Sequence, residues 1–247
     1  MSDTDKSIRL SKRMAELGLC SRREADEFIE RGWVKVDGVV VDVLGSRVRP
    51  DQRIDLVKSA ETELAERVTI LLHKPVGYVC GPAEPGERPA WQLVKQETRF
   101  SGDRSDIHYL KKHHNGLAPA GWLDVDASGL LVLTQDGRVS RKLISSAGDY
   151  EQEFLVDLAA PLPDDALARL NGRPKLDGEV VSSIKVSRQS DFQLRIVVRE
   201  NRNRLIRQLC DWAGIKVTSV RRIRVGRIAL ADLPQGQWRY LRADERF

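Results

Sequence analysis

The chain has 247 residues, 41 of them Lys or Arg and 36 Asp or Glu, for a formal charge of +5. A hydrophobic content of 41% suits one large domain or two unequal ones and excludes wholesale disorder. No apolar run approaches the ~20 residues of a membrane helix, and the polar start Met1-Ser2-Asp3-Thr4-Asp5 has no signal-peptide core. Cys20, Cys80 and Cys210 are odd in number and far apart. They predict reduced thiols in a cytoplasmic protein, not a disulfide framework or a zinc site.

Leu10, Met14 and Leu17 have helical spacing and predict a helix over 9–17, stopped by Gly18. Ser21-Arg22-Arg23-Glu24 reads as a capping box that starts a second helix, with Ala25, Phe28 and Ile29 inward and Gly32 at its end. Val34-Lys35-Val36 and Val39-Val40-Val41 flank Asp37-Gly38, a tight-turn dipeptide, and predict a hairpin. The bases Lys12, Arg13, Arg22 and Arg23 surround the turn between the helices, where helix amides add to their attraction for phosphate. Residues 57–66 are charged and lack strand alternation, and are read as a linker.

Val68–Leu72 predicts a buried strand running into His73-Lys74-Pro75-Val76-Gly77. Further β patterns fall at 129–134, 153–158, 192–199 and 215–225, and helical ones at 138–145, 163–171 and 203–213. Strand runs with scattered helices argue for an α+β fold with a mixed, largely antiparallel sheet. The polar stretch 100–118 holds His108, His113 and His114 without a partner at zinc spacing, and is expected to be a surface loop.

Two segments carry chemistry. In Gly121-Trp122-Leu123-Asp124-Val125-Asp126-Ala127-Ser128-Gly129-Leu130, a carboxylate is expected where an apolar strand gives way to a small-residue loop, with a second strand following. Such a group is held firmly yet open to a ligand. Between Arg195 and Arg227 lie ten Arg or Lys residues against two acids, a footprint expected of phosphate binding. Arg202, Arg204 and Arg207 belong to this run, with Leu205, Ile206, Leu209 and Cys210 on the opposite, buried side.

Ser11-Lys12-Arg13, Cys20-Ser21-Arg22-Arg23-Glu24-Ala25 and Val34-Lys35-Val36-Asp37-Gly38 resemble the S-four-type RNA-binding domain, two helices plus a hairpin. Lys74-Pro75-Val76-Gly77, the Asp124 segment, Glu200-Asn201-Arg202-Asn203-Arg204-Leu205-Ile206-Arg207-Gln208-Leu209 and Leu233-Pro234-Gln235-Gly236 resemble the RsuA-type family of ribosomal-RNA pseudouridine synthases. Within that family the branch called large-subunit pseudouridine synthase F is nearest. The resemblance implies an S-four-type RNA-binding domain at 1–60 and a catalytic domain at 67–247.

It also implies isomerisation of a uridine, after base flipping, in 23S ribosomal RNA, with transfer RNA as a further substrate; for oligomeric state, on which the sequence is silent, a monomer is the default. The reaction requires no cofactor or metal. Asp124 would be the reacting group and Arg204 or Arg207, three apart on one helical face, its cation. Ile206 and Phe154 would pack on uracil, and Lys74, Trp122 and Arg202 would contact RNA. Trp122 stands where the family has Arg, and Phe154 where it has Tyr. These departures keep a second reading open, an RNA-binding protein that retained the fold and lost catalysis. A hydrolase using Asp124 with Asp126 is a third.

Overall fold

The computed structural model describes residues 7–144, 150–181, 183–200 and 202–247. Residues 1–5, the final residue of the helix expected over 138–145, and Asn201 lie outside the described residues. The chain divides into two units, Met1–Val68 with Thr134–Lys142, and Thr69–Leu133 with Leu143–Phe247.

In the first unit, helix α1 (Leu10–Glu16) leads to α2 (Arg22–Glu30), which begins with the expected capping box. The Ser21 hydroxyl accepts from the Glu24 amide at 3.3 Å and the Glu24 carboxylate accepts from the Ser21 amide at 2.5 Å. Strands β1 (Val34–Val36) and β2 (Val39–Val41) form the hairpin, and β3 (Ile54–Leu56) pairs with the other edge of β1. Asp37 and Gly38 both have positive φ, +49° and +84°, as a two-residue hairpin turn requires.

The stretch read as a linker is instead helix α3 (Lys58–Ala65). Ala60 and Leu64, one turn apart, enter the same core as Leu10, Met14, Phe28 and Ile29. Two apolar points among charged residues are too sparse a pattern to read alone; tertiary packing supplies the rest. The boundary expected at residue 60 therefore falls inside a helix.

This unit also holds most of helix α4 (Gly137–Ile144). Glu24 is buried, is ion-paired with Arg67, and accepts from the Gly137 amide at 3.3 Å. A Cβ at position 137 would lie 2.4 Å from the Ser21 Cβ, so only glycine allows this approach.

The second unit is built on β4 (Thr69–Lys74), β5 (Ser128–Thr134), β6 (Gln152–Leu158), β7 (Lys185–Ser190), β8 (Gln193–Val198), β9 (Val217–Val225) and β10 (Trp238–Tyr240). Their order is β7-β8-β6-β9-β5-β4-β10, and two short strands complete a nine-stranded sheet among the described residues. The β7–β8, β8–β6, β6–β9 and β4–β10 pairings are antiparallel, and β5–β9 is parallel. The mixed, largely antiparallel α+β expectation holds. Helices α5 (Asp164–Asn171) and α6 (Leu205–Trp212) match their sequence patterns within two residues at each end.

Strand β7 was not foreseen, because in Lys185-Val-Ser-Arg-Gln-Ser only Val186 is buried and no alternation shows. The 100–118 stretch is not wholly surface. His113 is buried with its Nδ1 2.7 Å from the Tyr240 hydroxyl, and Tyr240 packs edge-on against Trp238.

Candidate active site

Sheet register brings the site together. On β9, Arg222 lies between Gly129 of β5 and Phe154 of β6. Gly129 has φ +114°, and a Cβ there would lie 2.2 Å from the Arg222 carbonyl oxygen, so the glycine permits this close approach. The β6–β9 pairing is irregular between Glu153 and Phe154. Side chains alternate along β6. Gln152 and Phe154 face an open pocket, while Glu153 turns the other way to pair with Arg195 and Arg224.

Asp124 lies in that pocket, in a loop four residues before β5 and not at the end of a preceding strand. The walls are Phe154, Val198, Leu205, Ile206 and Val220, Trp122 and Leu123 belong to the Asp124 loop, and the other polar groups are Gln152, Glu200 and Arg202. The lining is mostly apolar with a few polar groups, the character of small-molecule sites. Phe154 and Ile206 are brought together with Asp124, as the sequence suggested.

The cationic partners differ from expectation. Arg204 is not on a helical face; it precedes α6 in the left-handed conformation, φ +56°. This strain, on the order of 1–3 kcal/mol for a non-glycine residue, accompanies a backbone amide that donates to Asp124 Oδ1 at 3.2 Å. Its guanidinium is 63% exposed and 3.9 Å from Asp126. Arg207 pairs with Asp126, Nε to Oδ2 2.7 Å, and donates to the Asp126 carbonyl at 3.3 Å. Asp126, which the hydrolase reading set beside Asp124 as a second carboxylate, is thus the anchor for Arg207.

The cation behind Asp124 is Arg222, which the sequence shows only as part of a basic run. It is fully buried and donates to the carbonyls of Trp122 and Leu130 and to Gln152 Oε1 at 2.7–2.8 Å. Burial lowers its pKa to about 10 against the opposing pull of Cys80 and Asp124, so it remains charged at neutral pH.

Lys74 was expected to contact RNA, and the structure places it elsewhere. It has no exposed surface, and its ammonium donates to the carbonyls of Pro75 and Tyr78, both at 2.9 Å. Burial brings its pKa down to about 8, while Cys80, Asp124 and Asp126 oppose the shift. This ammonium braces the 75–78 turn, whose Gly77 amide donates to the Val125 carbonyl at 2.7 Å.

Every carbonyl from 122 to 126 is held. Arg222 takes Trp122, the Cys80 thiol takes Leu123 at 3.0 Å, the Ala127 amide takes Asp124, Gly77 takes Val125 and Arg207 takes Asp126. Burial raises the Cys80 pKa, which keeps it in the S–H form that donates. A loop so held fixes its aspartate without help from substrate.

The ten-base run is largely consumed by the fold. Arg195, Arg199 and Arg224 pair with Glu151 or Glu153, Arg202 with Glu179 and Glu200, and Arg207 with Asp126, while Arg222 is interior. Most of the matching acids lie outside the 195–227 window, so local counting overstated the free charge. Arg22, Arg23 and Lys12 are exposed, and Arg13 is half-buried with a bond to the Pro50 carbonyl. Trp122 is 43% exposed, its ring against Gly81.

A firmly held aspartate in a largely apolar pocket, with Glu200 as a second carboxylate and an interior arginine behind the loop, is the kind of arrangement found in enzyme sites. Comparison with known proteins narrows this class. Residues 8–54 match the model of the S4 domain and residues 68–229 that of RNA pseudouridylate synthase. Among curated relatives, the Dual-specificity RNA pseudouridine synthase RluF of Salmonella typhi is 33% identical over 254 residues, covering 98% of this chain and 78% of that protein. An Uncharacterized RNA pseudouridine synthase of Aquifex aeolicus is 30% identical over 240 residues, covering 96% and 94%. A crystal structure of a pseudouridylate synthase shares the fold, with TM-score 0.63 and 24% identity, covering 95% of this chain and 96% of that one. The chain belongs to the RNA pseudouridylate synthase family: it is an RNA-modifying isomerase with an S4 domain.

Proposed function

We propose that Asp124 is the reacting carboxylate and that it acts on a uridine extruded from structured RNA into the pocket beside Phe154 and Ile206. In the isomerisation the N1–C1′ bond breaks, the uracil turns, and C5 bonds to C1′. The C5 proton is lost and N1 gains one, so no electrons are exchanged. Asp124 supports two routes: attack as a nucleophile, or removal of a sugar proton to give a glycal. The Arg204 amide holds the carboxylate and Arg222 holds its loop through the Trp122 carbonyl, while Phe154 and Ile206 give the turning ring apolar surfaces to slide against. Phe154 offers stacking without a hydroxyl, so the chemistry does not depend on a phenolic proton there.

Extrusion of the base costs roughly a few kcal/mol. The exposed ring of Trp122 beside Asp124 is suited to stack on a neighbouring base and offset part of that cost. The names of the RluF relatives point to more than one RNA substrate, and a chloroplast relative from Arabidopsis thaliana is named for the large ribosomal subunit. We take 23S ribosomal RNA as the substrate of this chain, transfer RNA as a second, the cytoplasm as its compartment and a monomer as its working state. Among the described residues no helix is long and apolar enough to cross a membrane.

The observation that carries the reading is the carboxylate of Asp124 in an apolar pocket, held by the Arg204 amide. Incubation with ribosomal RNA followed by carbodiimide-stopped primer extension should reveal new pseudouridine with the native chain and none with Asp124→Asn. RNA bound but never converted by the native chain would favour the binding-protein reading.

A further inference from the structure

The first unit places α4 against the turn that joins α1 to α2. At its start, the Gly137 amide meets Glu24, and position 137 lies so close to Ser21 that no side chain fits. One turn later the Arg141 guanidinium donates to the Ala15 carbonyl at the end of α1. This arrangement brings Arg138, Arg141 and Lys142, all exposed, to the turn whose other side carries exposed Arg22 and Arg23. Around the turn, Glu24 pairs with Arg67, Asp136 with Arg138, and Glu16 with Lys12 and Arg13. Asp26 and Glu27 lie further along α2.

We propose that α4 extends the RNA-binding surface of the first unit, so that Arg141 and Lys142 join Arg22 and Arg23 in gripping the phosphates of a folded RNA stem. Neither Ser21–Glu24 nor Gly137–Lys142 contains an aromatic residue. Grip on a single strand draws on stacking platforms, whereas a purely cationic face suits the backbone of an A-form helix. An arginine bonded once, as Arg141 is, still has donors left for phosphate. The inference rests on reading the first unit as the RNA-binding element, and adds a segment that lies more than eighty residues beyond the S4 match at 8–54.

The test is equilibrium binding of the full chain to a fluorescein-labelled RNA stem-loop across a salt series. Lys142→Gln and Arg141→Gln should each weaken binding and lower the slope of log affinity against log salt by about 1, the signature of one lost phosphate contact. Arg22→Gln/Arg23→Gln should lower it by about 2. Arg141 also bonds Ala15, so a drop in the melting temperature of Arg141→Gln would leave Lys142→Gln to decide. Folded α4 variants with unchanged affinity and slope would overturn the proposal. Because the assay needs no conversion, that outcome leaves the Asp124 reading intact, and a chain that binds normally but forms no pseudouridine leaves the α4 proposal intact.

Discussion

Around the helix turn of the first unit arginines stay exposed, though others there, Arg31, Arg53 and Arg67, are ion-paired; arginines of the second unit mostly face carboxylates and carbonyls. Arg22 and Arg23 are exposed at a helix turn, and Arg138 and Arg141 stay exposed while bonded to Asp136 and the Ala15 carbonyl, whereas Arg195, Arg207, Arg222 and Arg224 are taken up by Glu153, Asp126, the Trp122 carbonyl and Glu151. The same residue type therefore does two jobs. Outward arginines supply a field that attracts polyanions and weakens with salt. Inward ones fix the position of groups around the pocket, where low dielectric makes each contact count for more. Local density of charge does not separate the two; partners brought in by the sheet do.

Substitutions sharpen the contrast. Arg222→Met should have the largest effect, because it orphans the Trp122 and Leu130 carbonyls and removes the interior cation. Each unsatisfied buried acceptor costs about 1–3 kcal/mol, so a marked fall in melting temperature should accompany loss of turnover. A stable, fully active Arg222→Met chain would break the distinction between inward and outward arginines.

Arg207→Ala frees the Asp126 end of the loop. Turnover should fall on the order of tenfold to a hundredfold, a misplacement effect, with RNA affinity nearly unchanged. Equal loss of both, by single-turnover kinetics and binding, would class Arg207 with the outward set.

Lys74 predicts a pH effect. With its pKa lowered to about 8, the ammonium loses its charge as pH rises through that value, and its electrostatic support of Asp124 goes with it. Activity should decline above about pH 8, and Lys74→Met should remove that alkaline limb while lowering the plateau. Between about pH 8 and the ordinary lysine value, the unfolded chain holds a proton that the folded chain has shed, so this group makes the fold more stable as pH rises across the window. An unchanged limb in Lys74→Met would assign it elsewhere.

The smallest effect is expected at Arg204. The backbone amide, not the guanidinium, reaches Asp124, and φ +56° suits glycine. Arg204→Gly should keep turnover within about threefold, under 1 kcal/mol of barrier. A loss as large as that of Arg207→Ala would show that the side chain does the work.

Much of this was legible in the sequence. The capping box at Ser21, the Asp37-Gly38 hairpin and the apolar runs of β4 and β5 are local signals that local physics decides. Asp124, Phe154 and Ile206 were named from motifs and converge on one pocket. What escaped is non-local. Lys74 reads as a surface base until its burial is seen, and α3 shows only Ala60 and Leu64 to a helical template. Arg222 becomes an interior cation only through its register with Gly129 and Phe154. A charge followed by Ile223 and Val225 in a strand, opposite a glycine with no room for a Cβ, was the available hint.

The most direct measurement is release of tritium from RNA labelled at uridine C5, run beside RNA binding for the native chain and Asp124→Asn. Bond formation at C5 must expel that hydrogen, so the native chain should release it, while the variant should bind RNA equally and release none. Release that survives in a folded Asp124→Asn chain would contradict the assignment of the reaction to this carboxylate.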